Sequence, residues 1–97
     1  MPRMNVKDAV SAAKAFVSEV LAEENPTNVG LEEVDYDDRH NKWNVTIGFS
    51  RPWNTSRSAV AAITGEQLQK RAYRVITIDD ASGNAISMKR RDVIETD

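Results

Sequence analysis

The first apolar pattern along the chain has the spacing of a helix that buries one side. Between residues 6 and 21 its apolar positions recur at steps of three and one, as one face of an α-helix requires. Asn5 is placed to cap the start, and Asn25 precedes Pro26, a position that disfavours helical backbone. We therefore predict a helix over residues 6–24 that covers another element with a single apolar stripe.

A polar turn at residues 38–41 separates two segments with the pattern of strands. Residues 31–37 place Val34 and Tyr36 on one face and acidic side chains on the other. Residues 42–50 alternate strictly between apolar and polar or small positions, which is typical of a half-buried strand. The apolar set in that second segment is Trp43, Val45, Ile47 and Phe49. The short connection predicts that the two strands form a hairpin.

A second hairpin is predicted near the end of the chain. Residues 73–78 are rich in β-branched side chains on both faces, as in an interior strand. Residues 80–84 form a turn in which Gly83 can adopt positive φ, and residues 85–90 return antiparallel. The order α-β-β-long loop-β-β predicts an α+β fold with one N-terminal helix packed on a four-stranded antiparallel sheet.

The connection over residues 51–70 is longer than is usual for a loop without an element of its own. A capping-box spacing that begins at Thr64 predicts a short helix over residues 65–70. Apolar side chains available to pack on the sheet from this segment are Val60, Ile63 and Leu68. Near its start, Pro52 and Trp53 are a candidate loop anchor for a partner. Trp53 also continues the alternation of the preceding strand, which favours packing at the edge of the core.

Composition fits one globular domain spanning residues 1–97, with 40% hydrophobic and 29% charged residues. The chain has no cysteine, which excludes disulfides, thiolate metal sites and a cysteine nucleophile. Its longest strictly apolar run covers residues 59–63, far below the roughly 20 residues of a membrane helix. No apolar stretch near Met1 has the length of a signal peptide, so we expect a soluble, cytoplasmic protein.

Candidate catalytic and metal-binding groups are sparse. His40 is the single histidine and lies in the first hairpin turn, where polar turn chemistry is the favoured interpretation. Asp35, Asp37 and Asp38 lack the ligand spacing and glycine of a calcium loop, and the acidic run over residues 32–38 fits a solvated strand face. No nucleophile elbow or phosphate-binding glycine loop occurs. These observations predict a protein that is not an enzyme and uses no metal or cofactor.

Charge is distributed unevenly along the chain, whose net charge is −2. The first 50 residues carry five basic and nine acidic side chains, and the remaining 47 carry eight basic and six acidic ones. Pairing the last two strands about the turn at residues 80–84 gathers basic residues at one end of that hairpin. The predicted patch for an anionic partner is Lys70, Arg71, Arg74, Lys89, Arg90 and Arg91. The alternative is a solvated sheet end partly neutralised by Asp92, Glu95 and the acidic first strand.

The last hairpin resembles the small bacterial PepSY-type domains. The resemblance rests on residues 73–79, read as Tyr-x-Val-x-Thr-Ile-Asp, and residues 83–88, read as Gly-x-x-Ile-Ser-Met. The helix across an antiparallel sheet also resembles the cystatin-like arrangement. The PepSY resemblance implies binding or restraint of peptidases, or an adaptor role, usually outside the cytoplasm. Cystatin-type inhibitory hairpins have no counterpart here, so no inhibitory residue is implied.

Together these patterns predict a non-enzymatic module that binds another protein through the uncovered sheet face or through residues 51–70. Candidate side chains on that face are Thr46, Tyr73 and Val75. Two alternatives remain: a small ligand-binding protein or enzyme with a pocket between helix and sheet, and a homodimer formed through the open sheet face or an edge strand. A membrane is not the expected partner because the apolar runs are short, and nucleic acid is not expected because the net charge is negative.

Overall fold

The computed structural model describes residues 2–51 and 71–91. Helix α1 spans Val6–Val20, and the Asn5 side chain caps it by accepting a hydrogen bond from the backbone N–H of Asp8 at 2.8 Å. The chain continues as a 3-10 turn over Ala22–Glu24 and enters the left-handed region at Asn25, with φ of 50°. The start of the helix predicted over residues 6–24 is confirmed, but the α-helix ends at Val20 and the remaining residues before the proline form a separate 3-10 turn.

Four strands follow the helix: β1 spans Thr27–Asp37, β2 Lys42–Ser50, β3 Ala72–Asp79 and β4 Ala85–Arg90. They form one antiparallel sheet in the order β1-β2-β3-β4. The α+β architecture predicted from the sequence is thus confirmed. The β1 strand begins at Thr27, before the predicted Leu31, and two register shifts interrupt its pairing with β2. Such bulges break the two-residue alternation on which the prediction depended.

Helix α1 packs on one face of the sheet, which we call the helix face. Ala9, Ala13 and Val17 are fully buried there, and the small alanine side chains allow close approach to the strands. The sheet contributes Val45, Ile47, Phe49, Ile76 and Ile78, which are also fully buried. These side chains belong to the two central strands, so the core lies beneath the middle of the sheet. Within the two described segments, no helix is long and apolar enough to span a bilayer.

The opposite face of the sheet, which we call the open face, is partly covered by the chain's own charged side chains. On β2 this face presents Thr46, Gly48 and Ser50, all of which are buried. A Cβ at Gly48 would lie 2.7 Å from Oε1 of Glu32 and 2.8 Å from Nη2 of Arg71. A side chain larger than glycine would therefore displace those two charged groups.

Candidate functional site

The pairing of β3 with β4 places two arginines side by side. Arg74 lies directly opposite Arg90, and Val75 opposite Lys89. The sequence places residues 73 and 74 opposite roughly 89–91, so the first pair falls within the predicted register. Side chains alternate along a strand, so Arg74 shares the helix face with the buried Ile76. Residues directly opposite each other in an antiparallel pair share a face. Arg74 and Arg90 therefore both lie on the helix face, at the end where β3 begins.

Arg51 meets Arg74 at the buried ring of Phe49. The guanidinium carbons of Arg51 and Arg74 lie 5.5 Å and 5.6 Å from the centroid of that ring. Both distances are within the range of a cation–π interaction. Arg51 also donates a 3.0 Å hydrogen bond to Oε1 of Glu24, in the 3-10 turn after α1. We call Arg51, Arg74 and Arg90 the cationic cluster.

Positive charge is concentrated in this cluster. Burial lowers the pKa of Arg74, and the charges of Arg51 and Arg90 lower it further, against the opposing effect of Glu24. The direction of this shift means that the protonated guanidinium is destabilised by its surroundings, although it remains charged. Within residues 2–51 and 71–91, neither Arg74 nor Arg90 forms an ion pair. An added negative charge at this end of the sheet would therefore be favourable.

The other described members of the predicted basic patch lie on the open face. Nη2 of Arg71 is 3.4 Å from Oε1 of Glu32, and Nη1 of Arg91 is 3.1 Å from Oε1 of Glu33. Both bridges cross the face of the sheet to the acidic strand β1. The single patch expected from the sequence is thus divided between two faces, because successive side chains of a strand point in opposite directions. Lys89 lies on the open face as well, and Lys70 lies outside the described residues.

The open face is less accessible than the sequence suggested. Thr46, expected to be uncovered, is only 4% exposed and accepts a 3.1 Å hydrogen bond from Nη1 of Arg91. Tyr73 and Val75 are half-buried. The guanidinium of Arg91 covers the threonine because it reaches across two strands to Glu33. This face therefore presents ion pairs rather than an apolar surface.

At the other end of the molecule a buried carboxylate joins three parts of the chain. Asp80, in the turn after β3, is 4% exposed. Its oxygens accept hydrogen bonds from the backbone N–H of Arg3 at 2.7 Å and of Met4 at 2.9 Å, and from the Trp43 indole N–H at 3.0 Å. The carboxylate thus ties the segment before α1 to β2 and to the turn between β3 and β4.

The last residues of β1 and β3, close to Asp80, carry two further carboxylates with altered acidity. A 2.7 Å contact with His40 is the main cause that lowers the pKa of Asp37, and hydrogen bonds from Ser82 lower the pKa of Asp79. Burial raises the pKa of Asp80, but the hydrogen bonds from Arg3, Met4 and Trp43 outweigh burial, so its pKa is also lowered. The His40 side chain is 68% exposed, in agreement with its interpretation as a turn residue.

These three carboxylates predict that the protein loses stability in acid. A carboxyl whose folded pKa lies below its unfolded value, ordinarily about 3.9, adds stability above that value, and the contribution disappears as the pH falls through the folded pKa. We expect the urea midpoint to hold between about pH 7 and pH 5 and to fall steadily below. Asp80→Asn, which cannot titrate at that position, should show a shallower fall. A midpoint unchanged at pH 3 would contradict the prediction.

The described residues place one groove between helix and sheet, and it lies at the surface. Beneath α1 the core is filled by fully buried side chains. A shallow groove of about 300 Å³ lies where the first half of α1 meets β1, and this volume is at the lower limit for small-molecule sites. It is lined by Val6, Lys7, Val10, Ser11 and Leu31. In the described part of the chain, no three His, Asp or Glu side chains come close enough together to hold a metal ion.

Two sequence predictions about the long connection concern residues that the structure does not describe. The loop anchor, Pro52 and Trp53, lies outside the described residues, as does the short helix predicted over residues 65–70 with Val60, Ile63 and Leu68. Arg51, by contrast, is described, and sequence reasoning missed its part in the cluster. Its position two residues after Phe49 was the available signal, since that spacing places both side chains on one face.

Comparison with known proteins gives no relative: no family model, curated protein or solved structure matches the chain. The resemblance of its last hairpin to PepSY-type domains, and of its architecture to the cystatin-like arrangement, therefore stays a prediction. Any function must be argued from the side chains themselves.

Proposed function

We propose that this chain is a non-enzymatic binding module whose cationic cluster docks an acidic segment of another protein. The observation that carries the proposal is the convergence of Arg51 and Arg74 on the Phe49 ring, with Arg90 directly opposite Arg74. Like charges directly opposite each other on a sheet are destabilising. A carboxylate-rich partner offsets that repulsion, because guanidinium groups form strong, often bidentate hydrogen bonds with carboxylates.

The surroundings of the cluster favour an acidic protein segment over nucleic acid. Glu24 lies at its rim, 3.0 Å from Nη1 of Arg51. An extended polyanion would meet this carboxylate, whereas a short acidic segment can stay within the cluster. The net charge of −2 also opposes the non-specific attraction on which most nucleic-acid binding depends. Among the described residues no three His, Asp or Glu side chains lie close enough together for a metal ion, and the groove between α1 and β1 is shallow, so we place binding above catalysis.

The proposal predicts that one charge reversal in the cluster weakens binding to an acidic peptide. We expect Arg90→Glu, at an exposed position, to reduce affinity for a fluorescein-labelled decaglutamate peptide about tenfold, because one charge-assisted contact becomes a repulsion. Fluorescence anisotropy at low ionic strength measures the affinity. Lys7→Glu is the matched control, since it makes the same charge change near the start of α1, at the end of the helix opposite Glu24.

Three outcomes would overturn the proposal. The first is equal weakening by Arg90→Glu and Lys7→Glu, which would mean that only net charge matters. The second is no measurable binding of the peptide to the unaltered protein. The third is tighter binding of a labelled oligothymidylate of the same charge, which would point to nucleic acid instead.

A further inference from the structure

The two outer strands of the sheet carry opposite charge. Within the described segments, β1 and β4 each pair with one neighbour only, so the other edge of each strand is unpaired. Such an edge presents backbone N–H and C=O groups that can pair with a strand of another molecule. Four acidic side chains lie on β1, and the end of β4 carries Lys89 and Arg90, followed by Arg91.

We propose that copies of this chain associate edge to edge, with β4 of one copy pairing antiparallel with β1 of the next. The topology permits this without inverting either molecule. In a four-stranded meander the first and last strands run in opposite directions. A second copy placed beside the first in the same orientation therefore continues an antiparallel sheet and keeps its helix on the same side.

One register of this strand pair places opposite charges directly beside each other. Asp35 lies opposite Asn44 and Lys89 opposite Val75, and all four positions belong to the open face. Asp35 and Lys89 are exposed, and neither forms an ion pair with another described residue. A register that sets Lys89 of one copy against Asp35 of the next joins opposite charges at the centre of the new strand pair.

Symmetric pairing of identical edges is disfavoured by the same charges. Two β1 strands would bring the acidic side chains of one copy against those of the other, and two β4 strands would oppose lysine and arginine. Like charges directly opposite each other destabilise a strand pair. The favoured contact is therefore heterologous: one copy contributes β4 and its neighbour contributes β1. Each copy keeps one edge unpaired, so association continues beyond a dimer. In this register only residues 87–90 of β4 lie opposite β1, a contact that is small beside a stable interface, so we expect weak association that depends on concentration.

Sedimentation velocity tests the inference at protein concentrations from about 20 μM to about 1 mM. This range covers the weak affinities expected of a small interface. The average sedimentation coefficient of the unaltered chain should rise with concentration at low salt and rise less at high salt, because the contact joins opposite charges. Asp35→Lys and Lys89→Glu should each weaken association about tenfold. An equimolar mixture of the two variants should restore it, since every contact between unlike copies again joins opposite charges.

Control variants separate the strand edges from overall charge. Asp8→Lys and Lys14→Glu make the same two charge changes on α1 and should leave association unchanged. A chain that stays monomeric at the highest concentration in low salt would overturn the inference, as would growth that stops at a dimer. Failure of the mixed variants to associate, or equal weakening by the α1 variants, would overturn the assigned contact. Binding of the acidic peptide through the cationic cluster is measured separately, so either proposal can fail alone.

Discussion

Replacing Asp80 with alanine is expected to lower the melting temperature by about 10 °C, the largest effect we expect from removing a polar side chain. The reason is the number of donors that depend on this carboxylate. The backbone N–H groups of Arg3 and Met4 and the indole N–H of Trp43 all donate to it. Alanine would leave them without that acceptor in a site that is 4% exposed, and an unsatisfied buried donor costs far more than an average hydrogen bond contributes.

Thermal unfolding followed by circular dichroism checks this expectation. Asp38→Ala is the matched control, because Asp38 lies in the other turn at the same end of the sheet and is exposed. We expect its melting temperature to stay within about 2 °C of the unaltered chain, since exposed substitutions away from special contacts change stability little. Equal melting temperatures for the two variants would show that the buried carboxylate does not stabilise the fold.

The strands and helix could be predicted because each buries one face against a common core. The alternation from Trp43 to Phe49 defines β2, and the three-and-four spacing from Val6 to Leu21 defines the helical segment. Where an element is regular and buries one face, the spacing of its apolar positions is enough to locate it. It failed over residues 27–30, because Asn28 has a positive φ of 53° and the ladder shifts register there. An irregular strand loses the signal that identifies a regular one.

The role of Asp80 could not be read from local pattern. The sequence places it in a turn, which is correct, but its hydrogen bonds to Arg3 and Met4 join positions 77 and 76 residues apart. Periodicity reports which face a residue occupies, and it carries no information about which distant donors meet there. Turn residues are expected to be solvated, so a buried turn carboxylate runs against the usual expectation.

The candidate site was predictable in register but not in arrangement. Counting back from the turn at residues 80–84 placed residue 74 opposite roughly 89–91, and the observed partner, Arg90, lies within that range. The same counting treated neighbouring basic residues as one patch, although Arg90 and Arg91 point to opposite faces. Glu33 also neutralises the charge of Arg91 through an ion pair across the open face. Identifying which cations keep their charge available requires the three-dimensional position of the acids.

Phe49→Ala is expected to lower the free energy of unfolding by about 3–5 kcal/mol, because it removes the largest fully buried side chain among the described residues and leaves a cavity at the end of the core. Urea denaturation at pH 7 measures the change. Phe49→Leu retains most of the volume and should cost less than half as much. Ile86→Ala is the control at a 52% exposed apolar position, where we expect a change of about 0.5 kcal/mol or less. A similar loss for Phe49→Ala and Ile86→Ala would contradict the assignment of Phe49 to the core.

The two Phe49 variants also separate packing from the interaction of the ring with the cationic cluster. Leucine has no π face, so removing Arg74 should cost less stability in the Phe49→Leu background than in the unaltered chain. A double-mutant cycle of Phe49→Leu with Arg74→Ala measures that difference directly. We expect a coupling of about 0.5–1 kcal/mol, since the guanidinium-bearing Arg74 is half-buried although the ring is fully buried. A coupling of zero would mean that Phe49 positions the guanidinium of Arg74 through packing and not through its π face. In that case the Phe49→Leu protein should bind the acidic peptide as tightly as the unaltered chain.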